Sequence, residues 1–149
     1  MGIAYFDCFS GASGDMLLAS LLSAGADLAA LQEDLDKLGL HEYQLEMSPA
    51  GQHGITGTQF QVLDAGGERP ARNLQVIKEI ILQSTLGESV KDRSLAIFRR
   101  LAEAEAQIHG TPLEAVHFHE VGAVDSLVDI VGFCAAMEHL GIETIYSSP

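Results

Sequence analysis

The chain has 149 residues, 47% hydrophobic and 19% charged, the composition of one folded domain with a real core, which excludes intrinsic disorder. A formal net charge of −13 would repel nucleic-acid phosphates and directs attention to cations instead. Every apolar run falls short of the ~18 residues that a membrane span needs.

The opening "MGIAYFDCFSG" has no basic region ahead of its apolar run, which argues against a signal peptide. Gly2 likewise lacks the Ser or Thr at the sixth position that myristoylation favours. Cys8 and Cys134 both lie in apolar surroundings and read as reduced, buried thiols of a cytoplasmic protein. "GIAYFDCF" is a strand, "SGASGD" a Gly/Ser turn and "MLLASLLSAGA" a buried helix ended by Gly25. Asp27 caps a second helix that runs through Leu38 and stops at Gly39.

Tyr43, Leu45 and Met47 alternate with polar residues, as do Thr58, Phe60 and Val62, which predicts an antiparallel pair with one wet face. A glycine-rich connection from Pro49 to Gly57 joins the two, and "DAGGERPAR" (64–72) is a loop by composition. Helices are expected from about Leu74 to Gln83 and from about Ser89 to His109, the second with an apolar stripe of Ile97, Leu101, Ala104 and Ile108 and a stop at Gly110 and Pro112. "SLVDIVGFCAAMEHL" is a helix apolar nearly all round, hence buried, with Gly141 as its C-cap; "IETIYSSP" is a last strand. The order β-α-α-β-β-α-α-α-β predicts an α/β (α+β) fold, with helices packed on a mixed sheet of about four strands that includes an antiparallel hairpin. The chain stops just as a strand finishes, which suggests a single domain, 1–149, of a longer protein.

Two stretches carry chemistry. In "DCFSGASGD", Asp7 falls at the carboxyl end of the first strand, where a cation ligand is well placed, and Gly11 and Gly14 free the backbone to turn. The amides of Ser13, Gly14 and Asp15 then open a helix, a site suited to an anion or a carboxylate. Two acids flanking a Gly/Ser loop suit a metal-bridged phosphate; alternatively Ser13 caps the helix and Asp15 answers its dipole, since no Walker-type lysine follows.

In "HFHEVGAVDSLVDIVG" (117–132), His117 and His119 point to one side of an extended segment and Phe118 to the other. Paired neutral imidazoles are a common transition-metal grip, and Glu120 adds a carboxylate. Asp125 is a ligand candidate that also fits a helix N-cap. Asp129 lies one turn further on, amid Leu127, Val128, Ile130 and Val131. A carboxylate buried there costs several kcal/mol unless it is protonated, bound to a cation or paired, with Arg72 or Arg99 as the candidate partners. His41, His109 and His139 fall near helix C-termini and read as surface residues; His53, in "GQHGITG", reads as solvated and Cys8 as core.

"DCFSGASGDMLLASLL", "GITGT" and "LAEAEAQIHGTPLEAVHFHEVGAVDSLVDIVG" resemble, in that order, the nickel insertion proteins of nickel-pincer cofactor biosynthesis, from residue 3 to the last residue. The resemblance implies a cytoplasmic, CTP-dependent nickel chelatase, a lyase-type cyclometallase. Such enzymes insert nickel into pyridinium-3,5-bisthiocarboxylic acid mononucleotide through nickel–carbon and nickel–sulfur bonds, using Mg or Mn with the nucleotide. Their product is the cofactor of lactate racemase and related enzymes. The matching positions are Asp7, Ser10, Gly11, Ser13, Gly14 and Asp15, then His117, His119, Glu120, Gly122, Asp125 and Asp129.

From the chemistry of these side chains, Asp7, Asp15 and Glu120 are assigned catalytic roles. Ser10, Gly11, Ser13 and Gly14 are assigned to binding, and His117, His119, Asp125 and Asp129 to metal. Partners implied are the mononucleotide, nickel and the protein's own C-terminal domain, with a homo-oligomer left open and neither nucleic acid nor membrane. Many relatives carry a histidine-rich tract where this chain has "DAGGERPARN", and they are longer, with the CTP-binding part in a C-terminal region absent here. The chain by itself is therefore expected to be inactive. Two other readings stand beside this one: a Mg-dependent phosphohydrolase built on the Asp7–Asp15 loop, and a non-catalytic metal-binding or assembly module.

Overall fold

The computed structural model describes residues 2–52, 54–65, 72–113, 116, 118 and 124–148. Among the described residues nine elements follow in the expected order: β1 (Gly2–Phe6), α1 (Gly14–Ser23), α2 (Leu28–Asp36), β2 (Tyr43–Gln52), β3 (Ile55–Asp64), α3 (Leu74–Gln83), α4 (Glu88–His109), α5 (Val124–His139) and β4 (Ile142–Ser147). Local caps account for several boundaries. The Asp27 side chain accepts from the Ala30 amide at 2.8 Å, and Asn73 from that of Val76 at 2.9 Å. Gly110 closes α4 in the left-handed region, at φ 62°. α2 ends at Asp36, with a turn carrying the chain to Gly39.

α5 is the spine of the core. Leu127, Val128, Val131 and Ala135 are fully buried, and α1, α2 and α4 pack around them. A Cβ on Gly132 would lie 3.3 Å from Leu18 of α1 and 3.6 Å from Leu31 of α2, so a bare backbone lets three helices meet closely. On α4 the buried face is Val90, Ser94, Phe98 and Ala102, one position round from the expected stripe. Ile97 and Leu101 are half-buried, while Ala104 and Ile108 are exposed. The reason is tertiary: α3 and α5 pack against α4 and bury the Val90–Ala102 row, which turns Ala104 and Ile108 to the exposed side.

The fold class is the expected α/β type, with the four strands divided between two sheets. β1 and β4 pair in parallel, Tyr5 opposite Tyr146; β2 and β3 pair antiparallel, Met47 opposite Phe60. The hairpin packs its Tyr43, Leu45, Phe60 and Val62 side toward helices α1 and α5, so its apolar face is satisfied without joining β1. Ser23 of α1 donates to the Thr58 hydroxyl at 2.7 Å, fastening helix to hairpin. The glycine-rich connection is shorter than expected. Pro49, Gly51 and Gly57 all lie in the ladder, and the turn falls at Gly54, at φ 81°. In a two-stranded sheet every strand is an edge, where proline costs no ladder bond on its outer side. No described helix is long and apolar enough to cross a membrane.

Candidate functional site

The site is built where the loop after β1 enters α1 and α5 passes beside it. β1 ends at Phe6, leaving Asp7 exposed at its carboxyl end. The Cys8 amide donates to Ser148 Oγ at 2.8 Å, tying this loop to the end of β4. Gly11, at φ 89°, donates its amide to the Cys8 carbonyl at 2.8 Å and turns the chain toward the helix.

Ser13 occupies the N-cap position of α1 with extended backbone, yet its side chain caps no amide. The Ser13 hydroxyl donates instead to Asp15 Oδ1, which holds that carboxylate over the first turn. The helix entrance is therefore already occupied by a carboxylate, and an anionic ligand meets it most favourably with a cation between.

Asp129 approaches from α5. A Cβ on Gly14 would come within 2.7 Å of both Cβ and Cγ of Asp129, so the two elements touch at a point only glycine fits. Alanine at position 14 is expected to lower the urea midpoint of unfolding by an amount equivalent to about 1–3 kcal/mol, despite alanine's better helix propensity.

Asp129 Oδ1 is buried and has no hydrogen-bond partner among the described residues. Burial, with the nearby charges of Asp15 and Asp125 adding to it, pushes the Asp129 carboxyl up to about 6. Neither arginine considered for it is its partner: Arg72 pairs with Glu42, and Arg99 with Glu103 at 3.0 Å. A buried carboxylate oxygen without a donor calls for an explanation, and a cation supplies one. Asp125 lies in the first turn of α5, not at its cap, and accepts from the Ser126 amide at 2.8 Å.

Two grooves flank this junction. One, of about 900 Å³, runs between the start of α1 and the hairpin and is lined by Ser10 and Asp15 together with Phe9, Met16, Ile55 and Thr58. The other, of about 480 Å³, runs between β1 and α1 and is lined by Asp7 and Gly11. The fold thus gathers Gly14, Asp15, Asp125 and Asp129 at one junction, while Asp7 opens onto the neighbouring groove. His117, His119, Glu120 and Gly122 lie outside the described residues. Among the described residues no group of three or more His, Cys, Asp or Glu side chains forms a metal cage.

Several features escaped sequence reasoning. Phe9 and Ile55 are largely exposed on the groove wall, and nothing in their local patterning distinguishes them from ordinary turn residues. Val116 and Phe118 are buried, and the Phe118 ring lies 6.4 Å from that of Phe98 on α4. The alternation of the 116–119 segment signalled the inward Phe118.

The described histidines serve the scaffold or face solvent. His139 Nε2 lies 2.8 Å from Asp34 Oδ2 and joins α5 to α2. Burial raises the pKa of Asp34, but hydrogen bonds from Lys37 and His139 outweigh it and hold the carboxyl below its usual range. His109 lies 3.2 Å from Glu105, His41 is exposed, and His53 is outside the described residues. Both cysteines are free thiols; Cys134 is core as expected, whereas Cys8 is only half-buried because it belongs to the loop that leaves β1.

A family model described as "Nickel insertion protein" matches residues 4–149. Two strains of Desulfitobacterium hafniense have a protein named "Pyridinium-3,5-bisthiocarboxylic acid mononucleotide nickel insertion protein" that is 52% identical over 149 residues, covering 100% of this chain and 37% of the relative. A protein of the same name from Akkermansia muciniphila is 47% identical over 152 residues, covering 97% of this chain and 37% of the relative. The chain spans 37–38% of the length of the first curated relatives it matches. No solved structure matches it.

Proposed function

The chain belongs to the nickel insertion protein family, and from that premise we propose that it handles nickel and substrate within a protein that inserts nickel into pyridinium-3,5-bisthiocarboxylic acid mononucleotide. One observation carries the reading: the buried oxygen of Asp129, without a partner among the described residues, beside the α1 entrance in a field made more negative by Asp15 and Asp125. Carboxylate oxygens attract a divalent ion, while nickel prefers nitrogen donors. In this proposal His117 and His119 supply the nitrogens, and Asp125 and Asp129 add oxygen ligands. The substrate's thiocarboxylate sulfurs are softer donors than imidazole, so a protein site of moderate affinity suits a handover.

The groove beside Asp15 offers Phe9, Met16 and Ile55 as apolar walls for a flat ring, and the Asp15 carboxylate favours the ring's positive charge. Ser10, Gly11, Ser13 and Gly14 are assigned to the nucleotide phosphate, met through a bridging cation. Forming a nickel–carbon bond expels a ring proton, and Asp7, Asp15 and Glu120 are the proposed acceptors. The CTP-dependent step, with its Mg²⁺ or Mn²⁺, is assigned to the part of the longer relatives outside the match, which leaves this chain alone without turnover. A cytoplasmic setting suits the free Cys8 and Cys134 thiols. The phosphohydrolase alternative predicts phosphatase turnover by this chain alone, without CTP, which the nickel-insertion reading does not.

Nickel titration of the chain followed by calorimetry tests the reading. The His117→Ala/His119→Ala double variant is expected to bind Ni²⁺ at least ~10-fold more weakly than the parent. An unchanged affinity would remove both imidazoles from the role.

A further inference from the structure

The parallel pair β1–β4 is short, five and six residues, and among the described residues it is covered on one side only. On that side Phe6 contacts Phe133 of α5, ring centroids 5.9 Å apart. On the other side Ile3, Tyr5 and Tyr146 are 65%, 64% and 58% exposed, and Tyr5 and Tyr146 are register partners, so the three form one patch. Parallel strands are ordinarily covered on both faces, and two strands alone make a marginal sheet. Among the described residues β4 is the only strand paired with β1. The opposite edge of β1 borders the groove that separates it from Met16 and Ser20 of α1.

We propose that this face and the free edge of β1 are the docking surface for the part of the longer protein outside the matched region. That partner would add a strand to β1 and lay an apolar face over Ile3, Tyr5 and Tyr146. Two observations select it. The curated relatives are more than twice the length of this chain, so they carry the polypeptide needed. A second copy fits poorly: the net charge is −13, and exposed Asp7 and Glu143 flank the patch, so two copies would bring like charges together. The occupant's rim is therefore neutral or basic. The inference rests on family membership and exposed surface, and stands or falls independently of the nickel site.

The test compares the 149-residue chain with a full-length chimera in which it replaces the aligned stretch of the Desulfitobacterium hafniense relative. Tyr5→Cys and Tyr146→Cys are introduced singly in both, with Gln61→Cys on the exposed side of β3 as control. Alkylation rates are read peptide by peptide in a mass spectrometer. Positions 5 and 146 are expected to react at least ~10-fold more slowly in the chimera, with position 61 unchanged. Equal rates in the two contexts would overturn the proposal. So would protection that grows with concentration of the 149-residue chain, which would make a second copy the occupant.

Discussion

Replacing Asp129 with asparagine is expected to stabilise the metal-free fold and to weaken nickel binding at the same time. The Asp129 carboxyl titrates at about 6 in the fold against an ordinary 3.8. A raised acid pKa means that the folded state holds the proton more tightly than the unfolded chain does. Below pH about 4 the group is neutral in both states and costs nothing. Between about 4 and 6 the unfolded chain ionises first, stability falls, and above that window the full penalty persists. Because the side chain is only partly buried, solvent screening limits the penalty to about 1–2 kcal/mol. Urea titrations at pH 7 should therefore show Asp129→Asn more stable by about that amount, with the two proteins converging at pH 4.

Calorimetry should show the same variant binding Ni²⁺ ~10-fold or more weakly, because a charged oxygen ligand has become a neutral amide. Loss of stability at pH 7 with nickel affinity intact would make Asp129 structural and sink the site. The opposite signs of the two effects mark a residue retained for binding at the expense of stability.

Phe118→Ala carries the largest expected cost in stability, about 3–5 kcal/mol. Phe118 is buried against fully buried Phe98, and a domain of this size has only about 5–15 kcal/mol in total. Phe118 also stands between His117 and His119 in the sequence, so its anchorage to α4 is expected to set how well the pair is held. Phe118→Leu should recover most of the stability, since it keeps the site filled. Chemical denaturation gives the first effect, and nickel titration under folded conditions gives the second. A Phe118→Ala variant as stable as the parent would show that the segment is not anchored through this ring.

Much of this protein was legible along the chain. Asp27 announces a helix start, Gly110 and Gly141 announce ends, and alternation at Tyr43–Met47 and Thr58–Val62 announces the hairpin, because caps and periodicities act over a few residues. The three matching stretches brought the family into view, and the apolar neighbours of Asp129 marked that carboxylate as out of place. Folding alone decided which row of α4 faces the core, since Ile97–Ile108 reads as the more apolar row while Val90, Ser94, Phe98 and Ala102 are the ones that α3 and α5 bury. It likewise split four strands into two sheets, because a strand's partner depends on which apolar faces the helices have already covered.

The same holds at the candidate site. Arg72 and Arg99 pair with Glu42 and Glu103, the Asp129 oxygen has no mate among the described residues, and Gly14 meets Asp129 across more than a hundred residues of chain. Side-chain chemistry is written in each residue, whereas the neighbour that satisfies or strands it is set by long-range packing, which no local pattern encodes.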